Sequence, residues 1–312
     1  MEAKKPYVVF MGGPCVDKYF DAEAWPEIGN KVSVWHRGNV CGGLIANAAC
    51  VCAGYGIETY SFDIKGEGPD TEMLFEDMEK SHVHMDKAQI IPGKKDTYCV
   101  IYQLPSGEHT LMVVNGTKHP IDLTDDLREF FLGASYIYGT LDWSAYFNDS
   151  WGLLEELKAK GVRIMLDCES SFNSEEARRM IGYATTVSFN EFAAELYGNG
   201  KTFEEFRDEL FAKGVETIIL TLAEKGAKIV TRDGEWQVGC YDVDPVDTTG
   251  AGDTFNSSFC VAKVMGLSDP EALRFANAAA NMSVTVQGPR GGITTREKVE
   301  EFMRTHTPKD ER

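Results

Sequence analysis

The chain has 312 residues, 43% hydrophobic and 26% charged, the make-up of a globular protein long enough to bury a large core. Its 49 acidic residues against 31 basic ones leave a formal charge of −18, a surface that repels nucleic-acid phosphates and anionic membranes and argues against both as partners. Eight cysteines without a Cys-x-x-Cys pair, and an opening with too short an apolar run for a leader or a membrane span, point to free thiols in a reducing cytoplasm.

Short apolar runs alternate with longer amphipathic stretches along the whole chain. Tyr7–Met11 reads as a buried strand, and Leu44–Ala53 as a helix. Between them Val32–His36 has strand character. Thr59–Ile64 predicts a strand and Thr71–Ser81 a helix. Tyr98–Leu104 and Thr110–Val114 flank Pro105-Ser-Gly-Glu-His109, a hairpin signal. Helical patterns at Leu123–Leu132, Trp151–Lys160, Ser174–Ile181, Phe192–Leu196 and Phe203–Lys213 then alternate with strand runs at Ser135–Tyr138, Arg163–Leu166, Thr186–Phe189 and Thr217–Leu222. A second hairpin pattern joins Gly226–Thr231 to Trp236–Gly239, and helices are expected over Thr254–Val264, Glu271–Val286 and Thr295–Met303. This alternation predicts a largely parallel sheet covered by helices, with a few early strands set apart from it.

The chemistry concentrates in Val246-Asp-Thr-Thr-Gly-Ala-Gly-Asp-Thr-Phe-Asn256, which leaves an extended segment and opens a helix. Gly250, Ala251 and Gly252 carry little or no side chain, so their N–H groups can approach a ligand closely. The first turn of a helix leaves such donors unpaired and carries partial positive charge, which suits a phosphoryl group in transit. Asp253 stands inside that turn, where a carboxylate either caps the helix or takes a proton from an attacking hydroxyl. Upstream, Cys41-Gly-Gly-Leu-Ile-Ala-Asn-Ala-Ala49 is a glycine pair opening a helix, and Gly12-Gly-Pro-Cys-Val-Asp17 follows the first strand. No Gly-x-x-x-x-Gly-Lys-Ser/Thr loop and no Gly-x-Gly-x-x-Gly after the first strand is present, which sets aside P-loop kinases and dinucleotide-binding folds. His82-x-His84 makes no convincing metal set, and Trp25, Trp35 and Trp143 read as packing or as surface of the early strands.

The run Asp-Thr-Thr-Gly-Ala-Gly-Asp-Thr-Phe closely resembles the signature of the ribokinase-like sugar kinases, the PfkB family, and the other elements follow in family order across nearly the whole chain. The resemblance implies a ribokinase-like α/β fold, a three-layer sandwich with a mostly parallel central sheet. It implies one kinase domain over residues 1–312 and a small β lid drawn from segments within about 14–40 and 95–116. It implies Asp253 as catalytic base, Gly250, Ala251 and Gly252 as anion hole, and Asp247 beside a monovalent cation such as potassium. Asp17, Gly42, Gly43 and Asn47 would line the sugar pocket. Asn190, Thr221, Gly226 and Asn277 would face ATP, with Gly288–Gly292 closing its pocket and magnesium among its phosphates. Two family positions are changed. The Asn-x-x-Glu motif reads Asn190-Glu-Phe-Ala193, leaving Glu191 or Glu195 to substitute. The Thr-x-Gly-x-x-Gly loop reads Thr221-Leu-Ala-Glu-Lys-Gly226, and the methyl group at Ala223 requires negative φ.

The expected reaction is transfer of the γ-phosphoryl group of ATP to a hydroxyl of a small carbohydrate. Asp167-Cys-Glu-Ser-Ser171 carries no Arg to meet a carboxylate, which argues against sugar acids, and no dense Lys/Arg cluster flanks the pocket motifs for a phosphosugar, although Lys31, Arg37 or Lys94 could reach in from the lid side. A nucleoside kinase of the same fold and a catalytically silent sugar- or nucleotide-binding regulator are the alternatives. Exposed lid strands also suggest a homodimer.

Overall fold

The computed structural model describes residues 5–168 and 174–311. In chain order the strands and helices are β1 (Tyr7–Met11), β2 (Cys15–Ala22), β3 (Val34–Gly42), α1 (Leu44–Gly54), β4 (Glu58–Phe62), β5 (Ile64–Gly66), α2 (Pro69–Lys80), β6 (Gln89–Ile91), β7 (Tyr98–Gln103), β8 (His109–Val114), α3 (Asp125–Leu132), β9 (Tyr136–Thr140), α4 (Ser150–Lys160), β10 (Arg163–Asp167), α5 (Glu175–Ile181), β11 (Thr186–Asn190), α6 (Glu191–Gly198), α7 (Phe203–Ala212), β12 (Thr217–Thr221), β13 (Ala227–Thr231), β14 (Glu235–Val238), α8 (Ala251–Val264), α9 (Asp269–Ser283) and α10 (Arg296–Thr305). An eight-stranded sheet runs β14-β13-β12-β11-β10-β9-β1-β4, parallel except for the β13 and β14 hairpin at one edge.

Strand side chains alternate between the faces of a sheet, and β1 shows the consequence. Val9 and Met11 enter one apolar core with residues of α3, α4, α5, α6 and α7. Val8 and Phe10 enter the other, with residues of α1, α8 and α9. Both faces are therefore covered, as a parallel sheet requires, and the layers are helix, sheet and helix, the expected α/β sandwich.

A second sheet of four strands, β3-β2-β7-β8, stands apart from the first. The sequence reading did not find β2, because Cys15-Val-Asp-Lys-Tyr-Phe-Asp-Ala22 places polar residues where an apolar alternation would mark a strand. β3 is also longer than the expected Val32–His36, and its mostly exposed side chains explain why its pattern is weak.

Three further boundaries differ for local reasons. The expected strand Thr59–Ile64 breaks into β4 and β5 at Asp63, whose Oδ1 accepts the Ile64 N–H at 2.8 Å. α9 stops at Ser283, short of Val286, and the Val284 carbonyl instead accepts the N–H groups of Val246 and Asp247 at 2.7 and 3.1 Å. α8 begins three residues earlier than Thr254, which places Asp253 within its first turn.

Candidate functional site

The loop after β1, the start of α1 and the start of α8 meet at the carboxyl ends of the parallel strands, where open α/β sheets leave a crevice. Gly43 caps the N-terminus of α1, and Gly250 caps that of α8 in a left-handed conformation with φ 79°. A Cβ at Gly250 would also lie 2.8 Å from the carbonyl carbon of Pro289, so the turn and the close approach both demand glycine.

α1 and α8 pack against each other, and Asn47 Nδ2 donates to Asp253 Oδ2 at 3.0 Å. Arg290 orients that amide. Its Nε donates to Asn47 Oδ1 at 3.4 Å, so the Asn47 nitrogen faces Asp253. Arg290 is held in turn by an ion pair with Asp77 on α2. Arg290 comes from the 288–292 loop that was expected to close the nucleotide pocket, and its side chain reaches Asn47.

Asp17 arrives from β2, the strand the sequence reading missed. Its carboxylate fills the space above Gly42, where a Cβ would stand 2.7 Å from Asp17 Cγ. Burial raises the Asp17 carboxyl above its ordinary value, and hydrogen bonds from Cys99 and Cys15 and the charge of Arg290 oppose the rise. Asp17, Gly42, Gly43, Asn47, Asp253 and Arg290 thus form one cluster.

Among the described residues the Gly250 and Gly252 N–H groups have no protein acceptor. Ala251 differs from the expectation. Its N–H donates to the Thr248 carbonyl at 3.2 Å, closing the turn. Beneath the first turn of α8 lies a network the sequence reading did not assign. Asp167 Oδ2 accepts from Asn256 Nδ2 at 2.9 Å and from the Tyr138 hydroxyl at 3.1 Å, and Ser188 Oγ donates to Asn256 Oδ1 at 2.7 Å. It ties β9, β10 and β11 to α8 one turn beyond Asp253. Burial pushes the Asp167 carboxyl up, against those two donors. Glu169, Ser170 and Ser171, part of the run read for substrate choice, lie outside the described residues.

Asn190 and Thr221 end β11 and β12 side by side in register. Asn190 caps α6, with Oδ1 accepting the Ala193 N–H at 2.7 Å. Ala193 is fully buried in the apolar core, and the exposed Glu191 pairs with Lys225 at 3.1 Å. Gly226 closes the 222–226 loop, its carbonyl accepting the Leu222 N–H at 2.8 Å. Ala223 overturns the requirement of negative φ: it sits at φ 49°, the left-handed region, so the loop keeps the glycine conformation and bears the strain of a methyl group.

Asn277 was expected to face ATP. It is 2% exposed, and its Nδ2 donates to the Gly239 carbonyl at 3.0 Å, so its amide braces the segment after β14. Asp247 spends both carboxylate oxygens on nitrogen donors: Thr249 N–H at 2.9 Å, Gln287 Nε2 at 2.7 Å and Gly288 N–H at 2.9 Å. Burial raises its carboxyl, but these donors outweigh burial and hold it below the ordinary value. The side chain ties the 247–249 turn to the 287–288 loop. Trp143 is fully buried packing. No helix among the described residues is long and apolar enough to cross a membrane.

A carboxylate in the first turn of a helix, at the carboxyl edge of a doubly covered α/β sheet, is an arrangement suited to group transfer. Residues 13–296 match the pfkB family of carbohydrate kinases, and the chain belongs to that family. It is a sugar kinase, a phosphotransferase with an alcohol group as acceptor. It is 27% identical to a ribokinase of Arabidopsis thaliana over 97% of this chain and 83% of the relative, and 27% identical to a ribokinase of Bacillus subtilis over 95% and 99%. The solved structure of the Arabidopsis thaliana ribokinase complexed with ribose and ATP superposes with a TM-score of 0.84 at 26% identity, covering 96% of this chain and 99% of that one. A nucleoside kinase of Methanocaldococcus jannaschii, 18% identical, shares the fold with a TM-score of 0.77.

Proposed function

We propose that this sugar kinase transfers the γ-phosphoryl group of ATP to a hydroxyl of a neutral sugar of the ribose type. The observation that carries the reading is the 3.0 Å hydrogen bond from Asn47 to Asp253, which joins the acceptor-side helix to a carboxylate beside the anion hole. The ribokinase relatives, one of them solved with ribose and ATP, support the choice of acceptor.

In this reading Asp17 and Asn47 hold sugar hydroxyls. Asp253, held through Oδ2 by Asn47, takes the proton of the acceptor hydroxyl as the new P–O bond forms and the bond to the leaving ADP oxygen breaks. The Gly250 and Gly252 N–H groups receive the charge spread over the transferring oxygens. Positioning supplies much of the rate, and the Asp167–Asn256–Tyr138 network keeps the first turn of α8 in register for it. Bound with ATP, magnesium would neutralise charge on those oxygens. Asn190, with Glu191 or Glu195, would supply the protein oxygens near that ion, because the buried Ala193 carries no ligand.

We further read the chain as one kinase domain whose four-stranded sheet is a lid that excludes water. Trp35, Leu111, Met112 and Val113 are exposed on that sheet, and a second copy of the chain would cover them, a homodimer that sedimentation tests.

The experiment follows ADP release from ATP and magnesium over pentoses, deoxypentoses, hexoses, sugar acids, phosphosugars and nucleosides, for the wild type and Asp253→Asn. The expected result is turnover with a neutral pentose and a loss of about a hundredfold to ten-thousandfold in the variant. A nucleoside as preferred acceptor replaces the sugar reading. Sugar binding without ADP release turns the protein into a binding regulator. An Asp253→Asn variant as active as the wild type removes Asp253 as base. Repeating the assay with choline in place of potassium decides whether a monovalent cation belongs to the site.

A further inference from the structure

Asp17 does not stand alone on the small sheet. Cys15 lies two residues earlier on β2, so the two side chains leave the same face of the strand. Cys99 stands directly opposite Asp17 in the parallel register of β7. The Sγ atoms of Cys15 and Cys99 and a carboxylate oxygen of Asp17 all lie within 4.8 Å of one another, and Cys15 Sγ is 3.6 Å from Asp17 Oδ1. No other triple of His, Cys, Asp and Glu among the described residues is so placed.

These separations suit a metal ion. Zinc takes sulfur at about 2.3 Å and oxygen at about 2.0–2.2 Å in a tetrahedron, which spaces two sulfurs by about 3.8 Å and a sulfur and an oxygen by about 3.6 Å. They suit a disulfide less well. Cys15 and Cys99 are diagonal neighbours, and such pairs stand about 7–8 Å apart at Cα, beyond the usual reach of an S–S bridge.

We propose that Cys15, Asp17 and Cys99 form a binding site for a thiophilic divalent cation of the zinc type, which by occupying Asp17 competes with the acceptor sugar. The competition rests on the proposed role of Asp17; the metal binding does not. Binding makes two S–Zn bonds and one O–Zn bond, and the thiol protons pass to water. Two cations also face the triad, Lys65 near Cys15 and Arg290 near Asp17, and each is already paired, with Asp63 at 3.0 Å and with Asp77.

The test titrates the reduced full-length protein with cobalt(II) and reads the thiolate-to-cobalt charge-transfer band. The expected band saturates at one equivalent, is displaced by zinc, and is lost in Cys15→Ser and in Cys99→Ser. It survives in Cys41→Ser, a half-buried thiol on the neighbouring strand. In the ADP-release assay zinc inhibits competitively with the acceptor, and Cys99→Ser, with uninhibited turnover within a few fold of wild type, raises the inhibition constant by more than about tenfold. The site is overturned by the absence of the band with cobalt in excess, or by its survival in both serine variants. A band lost only in Cys41→Ser overturns it equally. Zinc inhibition that no concentration of acceptor relieves overturns the competition and leaves the cobalt result to decide the site. Since cobalt binding needs no turnover, a failure of the kinase reading and a failure of the metal site are told apart.

Discussion

Replacing Gly42 by Ala tests the acceptor site through one added methyl group. Gly42 has ordinary φ, so its backbone accepts alanine without strain, and the three nearest atoms to the new Cβ all belong to Asp17. The Cβ would stand 2.7 Å from Asp17 Cγ, and real Cβ atoms essentially never approach under 3.0 Å. The carboxylate must retreat by about 1 Å, and a displacement of that size at a positioning group costs up to about a hundredfold. The energy agrees: a hydrogen bond to a charged group is worth about 1.5–3 kcal/mol, or roughly tenfold to a hundredfold. Gly42→Ala is therefore expected to lower kcat/KM by about that factor, mostly through KM, with a thermal midpoint near that of the wild type. Steady-state ADP release and a melting curve read the two quantities. The double variant with Asp17→Ala closes a cycle, and Gly42→Ala should cost little once the carboxylate is gone. A Gly42→Ala enzyme within twofold of wild type refutes the placement of the acceptor against Asp17. Additive losses in the double variant refute the route through Asp17, and a large drop in melting temperature makes the effect one of folding.

Ala223→Gly should stabilise the protein by up to about 1 kcal/mol, because Ala223 holds φ 49° at a penalty that glycine does not bear; a urea midpoint lower than wild type contradicts this. Asp247→Asn should cost stability most at neutral pH. The native carboxyl titrates below its unfolded value of about 3.9, so its contribution is present above that value and disappears as pH falls through the native one. Urea midpoints at neutral and strongly acidic pH check this, and a gap between wild type and variant that does not shrink in acid is the contrary result. Lys65→Met should destabilise the fold by about 3–5 kcal/mol, because it strands Asp63 in a pair whose side chains are only 7% and 10% exposed. Removing both charges should cost less, and an equal or greater loss in Asp63→Asn/Lys65→Met argues against the pair as the cause.

Much of the fold lay in local pattern. The central strands and most helices announce themselves by apolar period, and their alternation already demanded a parallel sheet covered on both sides. The run from Asp247 to Phe255 carried the reaction class through its resemblance to the signature of the ribokinase-like sugar kinases, since the glycine-rich turn and its carboxylate alone fit a capped helix equally well. Tertiary structure decided the rest. Asn47 and Asp253 are 206 positions apart, and only the packing of α1 on α8 makes them partners. Arg290 looked like part of a closing loop until its reach to Asn47 and Asp77 showed it as the residue that turns the amide. β2 was invisible because the strand's polar residues serve the site rather than a core, so it lacked the alternation by which strands are recognised. Asn277 and Asp247 were read from their place in the motif order, and only the folded neighbours show which donors and acceptors surround them. Sequence alone determined most of the central strands and helices, which rest on local spacing, and the reaction class, which rests on the resemblance of one local run. Which groups meet, which are used up, and how Cys15, Asp17 and Cys99 come to share one face depend on contacts between distant segments, and no local pattern encodes those.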